Sequence, residues 1–378
     1  MLTVNTNKLF GITPFLLSSI LIILVISIPA LSFLRVPLIL GQTFFFYIAV
    51  ILFGTKLYVD FGSKILFAML GYLLIQNMYL GEDAIVIIQS IIMNFVLFTI
   101  TQFASKSSEY YYISGAYKDT SKILLFILPT FAISITAWSD TRLSGLFMNP
   151  NITAHMTVMI LPFIFLGLKS FKTKALAFVI ALIIIVITAS RSGLMALFLA
   201  LGSYIFINYF KKSNFFIITS LVVLTTVVSA FAVDIAVLLI SNYLQDSDFH
   251  SRLMYTGYNG RDILMEQALE RFSHQRWFGL GFDGAKFDVG DGHELGAHNG
   301  LIELLLRLGV IGATIFGIFN LYLSFIISKQ ELPFKAASMM AFVSIFSLST
   351  NSSTFYVFNY LYLYVVLLAY LGYKNRFN

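Results

Sequence analysis

The chain has 378 residues, 58% of them hydrophobic and 11% charged, with a mean hydropathy of +0.87 and no cysteine. A soluble domain carries about a quarter charged residues, so this balance excludes an ordinary cytosolic enzyme. The missing cysteine excludes disulfide staples, thiolate metal sites and a cysteine nucleophile, and the formal net charge of +6 says little until the charges are placed.

A bilayer core of about 30 Å takes roughly 20 mainly apolar residues per helix. Runs of that kind predict about twelve spans, at 14–34, 37–54, 64–80, 84–103, 123–138, 152–168, 174–189, 193–210, 214–240, 300–327, 334–350 and 354–373. The first run is longer than a signal-peptide core and leads straight into a second span, which predicts an uncleaved anchor. Residues 1–378 therefore read as a single all-α polytopic membrane domain. No internal repeat is visible, and one long hydrophilic segment, 241–298, is inserted between the ninth and tenth spans.

With the N-terminus placed in the cytoplasm, the short loops obey the positive-inside rule and both termini are expected on the cytoplasmic side. The same placement sorts the cations by type. Every cation in the cytoplasmic segments is lysine except Arg376, and every cation on the other face is arginine except Lys286. Orientation requires only positive charge, whereas arginine offers a planar fork that grips phosphate or carboxylate in two places. The outer face is thus suited to an anion, although pairing of each arginine with a nearby carboxylate is the plainer alternative.

The 241–298 loop holds half of the 18 acidic residues and four of the five histidines. Within it, Arg261 to His274 reads as a short amphipathic helix, with Leu264, Met265, Ala268, Leu269 and Phe272 on the stripe expected to pack down. Asn259-Gly260 is a turn signal before it. Trp277-Phe278-Gly279-Leu280-Gly281-Phe282-Asp283-Gly284 follows as a glycine-punctuated turn; its G-x-G lacks the strand-turn-helix context of a nucleotide site.

Three outer positions stand out. Arg191 sits in Ser190-Arg191-Ser192-Gly193 between two spans, where a charge at the hydrocarbon edge is costly unless used; its bland alternative is snorkelling to headgroups. Arg261 opens the loop helix, where free backbone N–H groups already favour an anion; its alternative is an ion pair. His298, in Ala297-His298-Asn299-Gly300, precedes the tenth span with Asn299 as a helix cap; its alternative is an interfacial histidine bonded to backbone. Arg142, Asn151, Asn299 and Glu303 are secondary candidates. Glu303 and Arg307 are four apart and placed to pair, while Glu303, one turn past His298, is also placed to orient it. His155 is expected to bond a neighbouring helix rather than face a cavity, and Asp234, within the ninth span, has no evident partner. Asp283, Asp288, Asp291 and Glu294 with His293 do not match a calcium-loop spacing, so a solvated acidic loop is preferred to a metal site.

Five segments then carry a resemblance. Gly145-Leu146-Phe147-Met148-Asn149-Pro150-Asn151, Ser190-Arg191-Ser192-Gly193, Gly260-Arg261-Asp262, Phe278-Gly279-Leu280-Gly281, and Ala297-His298-Asn299-Gly300-Leu301-Ile302-Glu303 through Leu308-Gly309-Val310-Ile311-Gly312 together resemble the bacterial O-antigen polymerase and O-antigen ligase superfamily over roughly 145–312. The resemblance implies a C-class-like membrane glycosyltransferase of about twelve helices and one large periplasmic loop, in the bacterial inner membrane, using undecaprenyl-diphosphate-linked oligosaccharide. It implies catalytic roles for Arg191, Arg261 and His298, with a chain-length regulator and a flippase as pathway partners; no cofactor, metal or nucleic acid is expected, because the reaction scheme for these residues requires none.

The residues suit that chemistry. Diphosphate is already a weak base and leaves without a general acid, so its developing charge is what needs stabilising, and two arginines can do that. The acceptor hydroxyl must lose a proton, which a neutral histidine of ordinary pKa about 6.5 can take. The catalytic demands are the same in the branches of the superfamily, but the Asn-Pro-Asn segment and the continuous Arg261-to-Gly312 block resemble its polymerases more than the ligases that deliver glycan to lipid A core. A transporter or flippase is a more distant alternative, because such proteins show repeats and place polar breaks near the bilayer midplane.

Overall fold

The structure is a computed structural model that describes residues 59–81, 88, 92, 95, 97–102, 116–133, 143–240, 261–281, 287–288, 294–295, 299–350 and 360–373, with backbone only at 116, 231–240, 261–266, 287–288, 294–295 and 360. In chain order these hold α1 (Phe61–Leu80), α2 (Ala116–Ile127), a 3-10 turn (Leu128–Ala132), α3 (Pro150–Gly167), α4 (Phe171–Thr188), α5 (Arg191–Tyr209), α6 (Phe215–Ile240), α7 (Arg261–His274), β1 (Phe287–Asp288), β2 (Glu294–Leu295), α8 (Gly300–Lys329), α9 (Phe334–Ser349) and α10 (Tyr360–Leu371). Among them α1, α3, α4, α5 and α8 are long and apolar enough to cross a membrane, with shorter apolar helices at Phe215–Ala230, Phe334–Ser349 and Leu361–Leu371. The chain is a multi-pass helical membrane protein.

The spans expected at 14–34 and 37–54 lie outside the described residues, and 84–103 lies mostly outside them. Three expectations are corrected. The run 123–138 is not one helix: α2 starts earlier, at Ala116, and tightens at Leu128 into the 3-10 turn that contains Pro129, after which Ile133 is extended. Proline lacks the amide that would continue the ladder. The run 300–327 is interrupted at Gly309. The loop also departs from all-α, because Phe287 pairs with Leu295 and Asp288 with Glu294 in a small antiparallel ribbon.

Sequence sets the helix starts. Asp60 caps α1 by accepting from Ser63 N at 2.7 Å, and Gly81, at φ 68°, ends it. Asn149 caps α3 by accepting from Asn151 N at 2.9 Å and Ile152 N at 3.2 Å, with Pro150 at the first helical position, where no amide is missed.

α3 and α9 form the centre, and α9 packs against α5, α3, α6 and α10. Every residue of α9 but Phe346 is buried, whereas α4 turns Leu176, Val179, Ile183 and Val186 outward. Lipid is as apolar as leucine, so helices in a bilayer associate through close packing and internal hydrogen bonds rather than through the hydrophobic effect. Both devices are present. A Cβ on Gly193 of α5 would lie 2.7 Å from Ala154 Cβ of α3, so the two helices approach as near as that glycine permits. Ser229 Oγ of α6 lies 2.8 Å from Ser347 Oγ and 3.0 Å from Thr350 Oγ1, and Tyr362 OH of α10 donates to Asn320 Oδ1 of α8 at 2.8 Å.

Two bonds fix which helix ends lie together. Lys335, at the start of α9, donates to the carbonyl of Ser213, just past the end of α5, at 3.3 Å. At the other end of α9 the Thr350 carbonyl accepts from Asn299 Nδ2 at 3.4 Å. α5 and α9 are therefore antiparallel, and Arg191 at the start of α5 shares an end of the bundle with Asn299 at the start of α8.

Candidate functional site

That shared end is built from two helix starts. At the first, the chain leaves α4 through Ala189, at φ 49°, and Ser190 caps α5 by accepting from Gly193 N at 3.3 Å. Ser190 Oγ lies 3.4 Å from Ser192 Oγ, which in turn lies 3.1 Å from Nε2 of buried His155 on α3. The predicted helix-to-helix role of His155 is present. Between them the serine cap, the histidine contact and the close approach at Gly193 fix the first turn of α5, on which Arg191 sits half-buried.

At the second start, Asn299 caps α8 as expected, its Oδ1 accepting from Leu301 N at 3.0 Å and Ile302 N at 3.2 Å. One turn on, the predicted pair forms: Glu303 Oε1 accepts from Arg307 Nε at 2.9 Å and from Arg307 Nη2 at 2.6 Å, with Glu303 1% exposed.

Past Arg307 the helix breaks. Gly309 has φ 62° and ψ −175°, a region that only glycine populates readily. A break frees carbonyls before it and amides after it, and in a membrane protein these must be satisfied internally. The turn after α7 supplies the partners. Val310 N donates to Arg276 O at 2.8 Å and Ile311 N to Trp277 O at 3.2 Å, while Leu280 N donates to Leu306 O at 2.6 Å and Gly281 N to Arg307 O at 3.2 Å. Tyr72 and Gln76 of α1 close the junction from the side. Tyr72 OH donates to Phe278 O at 3.1 Å and also bonds Leu308 O; Gln76 Nε2 donates to Arg307 O at 2.6 Å and also bonds Phe278 O. A Cβ on Gly279 would lie 2.4 Å from Gly309 N, and one on Gly309 would lie 2.3 Å from Trp277 O. The two glycines thus let one backbone enter the gap in another. The G-x-G of the loop serves this splice and is not arranged as a phosphate cradle.

The splice carries α7. This helix has the predicted limits and lies on the first part of α8, with Ala268 and Leu306 fully buried and Phe272, Leu280 and Ile302 packed around them. The expected stripe is only partly right: Leu269 is 52% exposed, because the contact with α8 is narrow and centred on Ala268. Arg261 opens α7 by its backbone. His298 and Arg142 lie outside the described residues, and Asn151 stands exposed in the first turn of α3. Asp234 lies in α6 by its backbone. Asp288 and Glu294 are register partners on the ribbon; among the described residues no three His, Asp or Glu side chains gather as a metal site. Sequence reasoning passed over Tyr72 and Gln76, although two polar groups four apart in an apolar run share a helix face and mark an internal partner.

One comparison bears on this end of the bundle. Residues 176–317 match the sequence model of the O-antigen ligase family. Over those residues, less than half of its length, the chain is similar to that family. The match runs from α4 into α8 and takes in the first turn of α5, the loop with α7, both sides of the splice and the Glu303–Arg307 pair; the Gly145-to-Asn151 segment falls outside it. The family is one of membrane glycosyltransferases that transfer lipid-linked glycans, comprising ligases and polymerases. No curated protein matches the chain.

Proposed function

We propose that the chain is an O-antigen polymerase that joins lipid-diphosphate-linked glycan units at the periplasmic face of a bacterial inner membrane, with both termini in the cytoplasm. The observation that carries the reading is the family match over 176–317, which contains all three principal candidates, Arg191, Arg261 and His298. Arg191 and Arg261 bind the diphosphate of the donor. His298 takes the proton of an acceptor hydroxyl as its oxygen bonds to the anomeric carbon; the carbon–oxygen bond to the diphosphate breaks, and the electron pair leaves with the lipid diphosphate. The scheme uses charge stabilisation and one general base, and no step in it calls for a metal.

The acceptor is the non-reducing-end sugar of a second lipid-linked unit, and the lipid bilayer, a flippase and a chain-length regulator are the surroundings such an enzyme works with. The family description favours a second reading, in which the glycan goes to lipid A core. Deletion in the native host separates the two. Core carrying a single repeat unit supports the polymerase; core carrying no O-antigen, with lipid-linked polymer accumulating, supports the ligase. Unaltered surface polysaccharide removes both.

A further inference from the structure

The opposite end of the bundle, where α9 starts, holds a cation that the described residues leave uncompensated. Lys335 lies in the first turn of α9 and is 7% exposed. An ammonium carries three donors, yet among the described residues Lys335 Nζ meets one acceptor, the Ser213 carbonyl at 3.3 Å. The charge that acts on it is another cation, Lys329. The acids of this end are engaged elsewhere: Asp119 pairs with Lys122 at 3.1 Å, Asp60 accepts from Ser63 and Tyr322, and Glu331 is exposed and makes no ion pair among the described residues. A helix start is also a poor place for a cation, because its free N–H groups and dipole favour an anion, and no side chain caps α9. A buried charge without a partner is costly. On the residue that accepts from Lys335, moreover, Ser213 Oγ is itself buried with no hydrogen-bond partner.

We propose that this end binds the phosphate of an anionic phospholipid, with Lys335 and the Ser213 hydroxyl as inner contacts and Lys211 and Lys212 as the rim. The two rim lysines precede Ser213 in the link between α5 and α6, and both are exposed. A phosphate supplies what is missing: negative charge for Lys335, and acceptor oxygens for its remaining N–H groups and for the serine hydroxyl. Lysine suits the task, since its flexible stem lets the ammonium meet a headgroup at the rim without movement of the helix. The apolar surroundings favour a lipid over free phosphate. Tyr209, Phe210 and Phe216, on either side of the lysine pair in the chain, are exposed. Aromatic rings at helix ends sit at headgroup level, where an apolar body meets the acyl chains and a polar edge meets water. Basic groups gathered between membrane helices are suited to anionic headgroups. The site lies at the far end of α9 from Arg191 and Asn299, so it is separate from the residues proposed for transfer.

The test titrates the purified full-length protein in detergent with phosphatidylglycerol, phosphatidylcholine or inorganic phosphate, and follows bound lipid by native mass spectrometry together with the midpoint of thermal unfolding. Wild type should bind phosphatidylglycerol about tenfold more tightly than phosphatidylcholine, with a rise in midpoint that the zwitterionic lipid does not give. Lys335→Met removes the charge at similar volume; affinity for phosphatidylglycerol should fall about tenfold while that for phosphatidylcholine stays in place. The double variant Lys211→Gln, Lys212→Gln should lose about fivefold. Equal affinity of the wild type for the two lipids, or a Lys335→Met protein that binds phosphatidylglycerol as the wild type does, overturns the proposal. A rise in midpoint with inorganic phosphate equal to that with phosphatidylglycerol overturns the assignment to a lipid. If Lys335→Met does not fold, Ser213→Ala removes the hydroxyl donor alone: a loss of about threefold in affinity for phosphatidylglycerol supports the proposal, and an unchanged affinity overturns it.

Discussion

The starts of α5 and α8 lie at the same end of the bundle but are held by different means. At α5 the fixing is local and buried: a serine cap, a histidine contact and a glycine that lets two helices touch. At α8 it is long-range: a helix is broken at Gly309, and the exposed backbone is completed by a turn about thirty residues earlier in the chain and by two side chains of α1. The first needs only neighbours in a packed core. The second ties a hydrophilic loop to the membrane bundle, so the position of α7, with Arg261 at its head, depends on backbone geometry at two glycines.

Substitutions should separate these two anchors. The largest expected effect lies beside the splice. Arg307→Met leaves Glu303 buried without its cation, and breaking a buried pair in this way costs about 3–5 kcal/mol; thermal unfolding in detergent should show the loss, and a midpoint at the wild-type value would mean that the pair is not buried as described. Next is Gly309→Ala, which forces a side chain into a conformation that costs about 1–3 kcal/mol and also meets Trp277 O. Its transfer activity should collapse and the loop should become open to protease while α5 and its neighbours stay folded; unchanged proteolysis would disprove the splice.

Gly193→Val probes the other anchor. Overpacking against Ala154 costs about 1–3 kcal/mol and should weaken donor binding through Arg191 without exposing the loop. Smaller still, Tyr72→Phe removes a donor to the junction and should cost about 1 kcal/mol, with a modest rise in loop proteolysis. Phe171→Ser, on the outer surface of α4, changes a side chain that touches little and should stay within about 0.5 kcal/mol.

Much of this architecture was readable in the chain. Cap residues and apolar runs placed α1, α3, α4, α5, α6 and α9 to within a few residues, and the Glu303–Arg307 pair and the Asn299 cap followed from spacing alone. What the chain hid was non-local. Gly309 reads as one more small residue in an apolar run, and only the arrival of Gly279 shows why a side chain is excluded there. Leu269 was misplaced for a related reason: periodicity gives the apolar face of a helix, while the width of its contact is set by the surface it meets. Pro129 was visible, but the extent of helix on its N-terminal side depended on residues less apolar than the scan required. Of the candidate site, the helix starts and the two residues that brace the loop are visible in the structure, whereas the roles of Arg191, Arg261 and His298 rest on chemistry and family resemblance.

The most direct measurement mixes purified protein with lipid-linked repeat units and resolves the products by length. The account predicts a ladder of longer lipid-linked glycans from the wild type and only the starting unit from His298→Ala, folded as shown by its unfolding temperature. A ladder from His298→Ala formed at the wild-type rate would contradict the account.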